Sequence, residues 1–228
     1  MLEIIIISIV QGITEFIPIS SSSHLILVSK LFNYSSSILL DVSVHIGSFI
    51  AVIIYFRKDF IAFLKKTKLL ILFIIASLPV ALIGYMLISF DLASKLRTLE
   101  IIGWTTILFG IFLYISDNSK QEKKFTKNFK LSAALQIGIA QCLSLVPGVS
   151  RSGIVITVSR FLKFSRIESA KISFLLSIPT LFIISCYGFF QILKNENSIL
   201  ADINFIAMIF AFFFSFITIK YFLIFLKN

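Results

Sequence analysis

The sequence predicts an all-α integral membrane protein, with about five crossing helices and two broken, re-entrant helix pairs forming an inverted repeat around a midplane site. Three observations carry this. Of the 228 residues 58% are hydrophobic, and the mean hydropathy is +1.01. A hydrocarbon core of about 30 Å takes about 20 apolar residues to cross, and segments 69–90, 100–116 with its flanks, 167–190 and 203–226 meet that length. Two further apolar segments, 2–33 and 131–162, carry proline and clustered serines near their middles.

The first segment opens with the run Leu2 to Ile19. It lacks a basic start and contains Gln11 and Glu15, so it reads as a membrane segment and not as a signal peptide. Pro18 and Ser20 to Ser23 interrupt it. Helix 42–56 leads to a basic stretch, 57–68, with Arg57, Lys58, Lys65, Lys66 and Lys68. Helices 69–90 and 100–116 follow and end at a second basic stretch, 117–130, with Lys120, Lys123, Lys124, Lys127 and Lys130. Segment 131–162 is broken at Pro147-Gly148. A third basic stretch, 160–171, holds Arg160, Lys163, Arg166 and Lys171 before the last two helices. The whole of 1–228 reads as one polytopic membrane domain: a first repeat at about 2–116, a basic loop at 117–130 and a second repeat at about 131–226. Cys142 and Cys186 lie far apart in apolar segments and read as packing residues.

The formal net charge is +10. In a soluble chain that would suggest nucleic acid. Here basic residues gather in short loops between apolar segments, which is the positive-inside pattern, and no nucleic acid is expected. The basic loops then face the cytoplasm, the 91–99 turn faces outside, and the C-terminus lies inside. Segment 131–162 enters and returns on the cytoplasmic side, whereas 2–33 turns back from outside. Irregular backbone at membrane depth is tolerated where protein or a water-filled cavity surrounds it, so the two breaks predict a shared polar cavity. A faint repeat agrees: Ile9-Val10-Gln11 runs into Pro18 and the serines, and Ile139-Ala140-Gln141 runs into Pro147-Gly148 and Ser150-Arg151-Ser152. Of 21 Lys and Arg residues, 20 fall in connections or near the C-terminus, Lys30, Lys95, Arg97, Lys194, Lys220 and Lys227 among them. Arg151 alone is left over.

Glu15 sits within an apolar run, where an ionisable group is expensive and points to function by default; the alternative is a protonated, hydrogen-bonded packing residue. Gln11 lies one helical turn earlier on the same face. The serines after Pro18 suit the N-cap of a restarting helix, whose free N–H groups and positive dipole end attract an anion. His24 falls one turn from Ser20 or Ser21, a spacing open to a nucleophile–base pair. The serines could equally serve only the broken backbone, with His24 packed against them. Arg151 has a planar, permanently charged fork suited to phosphate oxygens, and Ser150, Ser152 and the helix start at Gly148 to Ser152 add donors. A structural ion pair with Glu15 is compatible with that role. His45, beside Gly47 and Ser48, reads as a packed, hydrogen-bonded histidine, and Gln136 and Gln141 read as helix–helix glue. The ligand implied is a compact anion in apolar surroundings, such as a lipid phosphate or diphosphate.

These residues carry a resemblance. Gln11-Gly12-Ile13-Thr14-Glu15-Phe16-Ile17-Pro18-Ile19-Ser20-Ser21 with His24 resembles the first signature of the undecaprenyl-diphosphate phosphatases of the bacitracin-resistance type. Pro147-Gly148-Val149-Ser150-Arg151-Ser152-Gly153 resembles their second. The Gln141 approach and the later Ser173-Phe174-Leu175-Leu176 with Pro179 also fit, so the resemblance runs over about residues 3–190. It implies hydrolysis of a polyprenyl diphosphate to the monophosphate, recycling a carrier lipid for wall synthesis at the plasma membrane. It implies a divalent cation, magnesium or calcium, with Glu15 and Gln11 as the metal and acidic-motif positions. Ser21 and His24 match the nucleophile and its partner, and Arg151 the phosphate-binding arginine. Gln11 stands where the family often has Glu, which removes one negative charge from the cation site. Val155 stands where a Thr donor is common. Set against the resemblance the chain is short and is expected to lack the family's final C-terminal membrane helix, and a homodimer is left open. A transporter of the same lipid that binds without cleaving it is the alternative; an ion channel fits less well, because one Glu and one Arg make a poor selective lining.

Overall fold

In the computed structural model, residues 2–32, 38–65, 67–90, 92–193 and 198–227 are described. Lys66, Lys194 and the stretch 33–37, including the end of the first broken segment, lie outside them. The described residues are helical throughout, apart from turns and a single parallel bridge between Lys123 and Phe164.

The first broken segment becomes α1 (Leu2–Thr14) and α2 (Ser21–Leu31). Glu15 still donates its N–H to the Gln11 carbonyl, at 2.9 Å, and then the helix stops. Pro18 has no N–H and biases Ile17 away from helical backbone. Ser20 takes φ +64°, a conformation that costs a non-glycine residue about 1–3 kcal/mol. Phe16 compensates inside the break: it is fully buried, edge-to-face on Phe174, with centroids 5.4 Å apart.

Then come α3 (Ile38–Tyr55), a short basic α4 (Arg57–Lys65), α5 (Thr67–Ser89), α6 (Leu92–Lys95) and α7 (Leu99–Asp117). After α8 (Phe125–Asn128), the second broken segment runs as α9 (Leu131–Gln141), one 3-10 turn over Cys142–Leu145, and α10 (Arg151–Phe161). Here the break is made by Pro147 and by Gly148 at φ +96°. The Ser150 hydroxyl accepts from Gly153 N–H at 3.1 Å and caps α10. The long helices α11 (Arg166–Leu193) and α12 (Ser198–Phe225) close the chain. Pro79 and Pro179 lie inside α5 and α11 without ending them, as neighbouring helices in a membrane protein allow.

Both predicted breaks are present, and the four long apolar helices lie where the sequence placed them. Four described helices are long and apolar enough to cross a membrane: Thr67–Leu87, Leu99–Asp117, Arg166–Cys186 and Ile203–Phe225. The expected fifth, α3, is shorter over its apolar stretch Leu39–Tyr55.

Close helix packing holds the breaks together. A Cβ at Gly12 would approach the Ala211 carbonyl to 2.9 Å, and one at Gly47 would overlap the Met208 carbonyl, so α1 and α3 both lie hard against α12. A Cβ at Gly138 would come within 2.7 Å of the Ala76 carbonyl, which puts α9 equally close to α5. The first helix of each broken pair thus rests on a long helix of the other half of the chain, and α3 packs along α11 between them.

One charge departs from the expected pattern. Arg160 is only 1% exposed and is not a solvated loop cation. Its guanidinium donates to the Phe164 carbonyl at 2.6 Å and to the Asp117 and Ser119 carbonyls at 2.7 Å each. It therefore ties the end of α7 to the end of α10. Three carbonyl acceptors and the nearby Asp117 carboxylate, at 3.5 Å, make its burial tolerable.

Candidate active site

The two breaks meet at one carboxylate. Glu15 is 7% exposed and accepts three hydrogen bonds. Its Oε2 accepts from Gln11 Nε2 at 2.9 Å and from Ser21 Oγ at 2.8 Å. Its Oε1 accepts from Arg151 Nη2 at 2.7 Å, an ion pair that joins the start of α10 to the end of α1. Such a charge-assisted bond is strong where water is scarce.

A second tie sets the register of the two breaks. Ser152 Oγ donates to the Ile17 carbonyl at 2.9 Å. Its one proton is then spent, so in the Ser150–Ser152 contact, 2.9 Å, Ser150 is the donor. Gly148 lies against α7, where a Cβ would overlap Thr105, and Thr105 Oγ1 lies 2.7 Å from the Pro147 carbonyl. The position before Arg151 is therefore held from both sides.

A cavity of about 200 Å3 opens at this junction. Glu15, Ser20, Ser21, Ser22, Ser150 and Arg151 line its polar end. Arg151 Nη1 is buried and has no hydrogen-bond partner among the described residues. A buried guanidinium nitrogen without an acceptor is costly, and an incoming anion satisfies it. A larger cavity, about 600 Å3, lies between α7, α10 and α12. Its two cations, Arg160 and Arg166, both pair with the Asp117 carboxylate; Arg160 Nε has no hydrogen bond among the described residues but lies 3.5 Å from Asp117 Oδ1, so an acceptor already faces it.

The Ser21–His24 pairing expected from spacing is not among the described hydrogen bonds. Ser21 is engaged by Glu15, while His24 Nδ1 lies 2.8 Å from the Ser20 carbonyl. The same carbonyl accepts the His24 N–H at 3.3 Å, the first helical bond of α2. A ring nitrogen that donates to a carbonyl carries the proton, so the lone pair of His24 is on Nε2. His45, read from sequence as a packed, hydrogen-bonded histidine, is hydrogen-bonded and also lines the cavity. Its Nδ1 is 2.6 Å from the Asp41 carbonyl and its Nε2 is 3.9 Å from Glu15 Oε2. Nothing in the local sequence marks it except the neighbouring Gly47, which brings α3 close to the bundle centre. Ser144 and Thr180 also line the cavity without having been singled out.

Gln11 Oε1 is buried with no partner among the described residues. No group of three or more His, Cys, Asp and Glu gathers among them. One carboxylate and one amide oxygen suit a hard divalent cation that takes its remaining ligands from phosphate and water. The residues fit a cation of that kind.

The sequence profile of the family described as Bacitracin resistance protein BacA matches residues 4–228. The chain belongs to this family. Among its relatives, a protein of Pelagibacter ubique called undecaprenyl-diphosphatase is 46% identical over 227 residues, covering 97% of this chain and 87% of that protein. Proteins of the same description from Saccharophagus degradans and Campylobacter concisus are each 39% identical, covering 86% of this chain and 78% and 79% of theirs. In this BacA-family chain the two signature segments are the two breaks, and they meet at Glu15.

Proposed function

We propose that the chain is a membrane phosphatase that hydrolyses undecaprenyl, or a similar polyprenyl, diphosphate to the monophosphate and inorganic phosphate. This recycles a carrier lipid for cell-wall synthesis, confers bacitracin resistance and is carried out in the plasma membrane. The observation that carries the reading is Arg151 Nη1, buried and without a partner among the described residues, beside the Glu15–Ser21 hydrogen bond, in a protein whose relatives bear that activity in their names.

The chemistry follows from the partners. Arg151 holds Glu15 with one nitrogen and offers the other to a terminal phosphate oxygen. Ser150 and the N-termini of α2 and α10 border the same cavity, while Ser152, whose proton goes to the Ile17 carbonyl, holds Ser150 in place. Ser21 is the hydroxyl with a proton acceptor in place: attack on the terminal phosphorus moves its proton to Glu15 Oε2 as the O–P bond forms. The bridging P–O bond breaks, and its electron pair leaves on the prenyl monophosphate. Water then releases phosphate from Ser21. Glu15 and Gln11 Oε1 would hold a divalent cation, magnesium or calcium, which would supply further neutralisation of phosphate charge.

Purified protein in detergent is given a polyprenyl diphosphate, and phosphate release is measured with and without chelator. Release that chelator suppresses and that Arg151→Ala lowers about 100-fold or more is expected. Lipid movement across vesicles with no phosphate released would instead make the protein a transporter.

A further inference from the structure

We infer that the prenyl chain of the substrate leaves the cavity sideways, through a slot between α5 and α11 bounded by Val80, Leu145 and Ile184. The inference rests on the phosphatase reading and adds where the lipid part of the substrate lies.

Volume is the first argument. The cavity holds about 200 Å3. At roughly 30 Å3 for each water-sized group, that accommodates about seven such groups. A diphosphate head is of this size and a long prenyl chain is many times larger, so the chain must lie outside.

The lining says where it goes. The polar wall comes from the two breaks. The opposite wall is apolar: Val80 from α5, Leu145 from the 3-10 turn, and Leu181 and Ile184 from α11. Leu181 is 1% exposed, but Ile184, one turn on, lines the cavity and is 38% exposed, so the apolar wall reaches accessible surface at Ile184. Apolar residues flank the seam on the lipid side, Ile83 on α5 and Ile183 on α11 among them.

The seams that α1 and α3 make with α12, and α3 with α11, are tighter. Gly12 and Gly47 let α1 and α3 come into backbone contact with α12. The α3–α11 contact is far more extensive than the α5–α11 contact. Gly84 trims the α5 lip of the slot: a Cβ there would meet Leu145 Cδ2 at 3.3 Å. Leaving the tail in lipid also avoids a transfer that brings no gain, since hydrocarbon and protein interior are similarly apolar to it.

The test uses slot variants of the full chain in detergent. Phosphate release is followed from a long polyprenyl diphosphate and from a short, water-soluble ester, isopentenyl diphosphate. Ile184→Trp should lower kcat/KM for the long substrate at least about tenfold more than for the short one, while Ile107→Trp, on the exposed face of α7, should leave both within about twofold. Equal losses on both substrates, or no loss on either, would overturn the slot. Independently of turnover, a polyprenyl monophosphate carrying a photoreactive group on its first isoprene unit should label the region of residues 80–84 and 184. Labelling confined to α7 or α12 overturns the slot. Labelling at the slot by a protein that releases no phosphate sinks the phosphatase reading and leaves the slot standing.

Discussion

Arg151 makes two demands that few residues could meet together: Nη2 grips Glu15 while Nη1 waits, buried, for an acceptor. Lysine keeps the charge but has no fork, so Arg151→Lys should keep the fold and still lose activity, by about 10- to 100-fold in kcat/KM. Arg151→Ala also leaves Glu15 buried and unpaired, which typically costs about 3–5 kcal/mol, so its unfolding temperature should fall as well. Ser21→Ala separates the possible nucleophiles. We expect phosphate release to drop by at least about 100-fold; a variant with full activity would hand the role to His24 or to water. Gln11→Glu puts a second carboxylate beside Glu15, where the two repel unless a cation lies between them. Its expected signature is activity that needs less magnesium or calcium for half-maximal rate and falls further in chelator. At this scale the sequence disclosed Glu15, Ser21 and Arg151, because charge and hydroxyl clusters in an apolar run stand out by composition. For His45 it gave the hydrogen-bonded histidine that is found but not its place at the cavity, because a lone histidine looks the same whether it faces a cavity or a neighbouring helix.

Among the elements, the breaks were legible and their geometry was not. Proline and serine at mid-membrane announce an interruption, but the positive φ of Ser20 and the closeness of Gly148 to Thr105 emerge only from the folded chain. Gly148→Ala combines a left-handed backbone with an overlap on α7. It should destabilise the protein by more than the about 1–3 kcal/mol of the backbone strain alone, visible as a lower unfolding temperature in detergent. Gly47→Val probes the α3–α12 contact in the same way. A side chain there has a carbonyl in its path, so the helices must separate, and loss of folded protein is expected. The helix read from sequence over 42–56 is α3, Ile38–Tyr55, whose apolar stretch is shorter than those of the four long helices: a helix that packs closely on two neighbours need not match the bilayer thickness alone.

For the whole molecule, the charge distribution decides orientation. With Cys142 and Cys186 replaced by serine, Lys124→Cys should react with a membrane-impermeant thiol reagent only when the cytoplasmic face is accessible. Lys95→Cys should react from the other side. The opposite labelling would invert the topology and place the cavity on the wrong face. Arg160 shows where such counting fails. It lies in a basic stretch by sequence, yet it is a buried clamp between α7 and α10. The number of basic residues that topology accounts for therefore falls from 20 to 19, and Arg151 is joined by a second arginine with a role inside the protein.

By itself the sequence determined that this chain is a bundle of membrane helices with two interrupted segments, and which residues are expensive enough in lipid to be functional. Those are properties of segments, set by transfer free energies that accumulate along the chain. Only the tertiary structure decided that Glu15 and Arg151, 136 positions apart, share one ion pair, that Ser21 turns to Glu15 instead of His24, and that His45 enters the site. Each of those outcomes depends on which donor reaches an acceptor first once the helices are packed, and the hydrogen bonds that decide it act over about 3 Å between residues that the sequence keeps far apart.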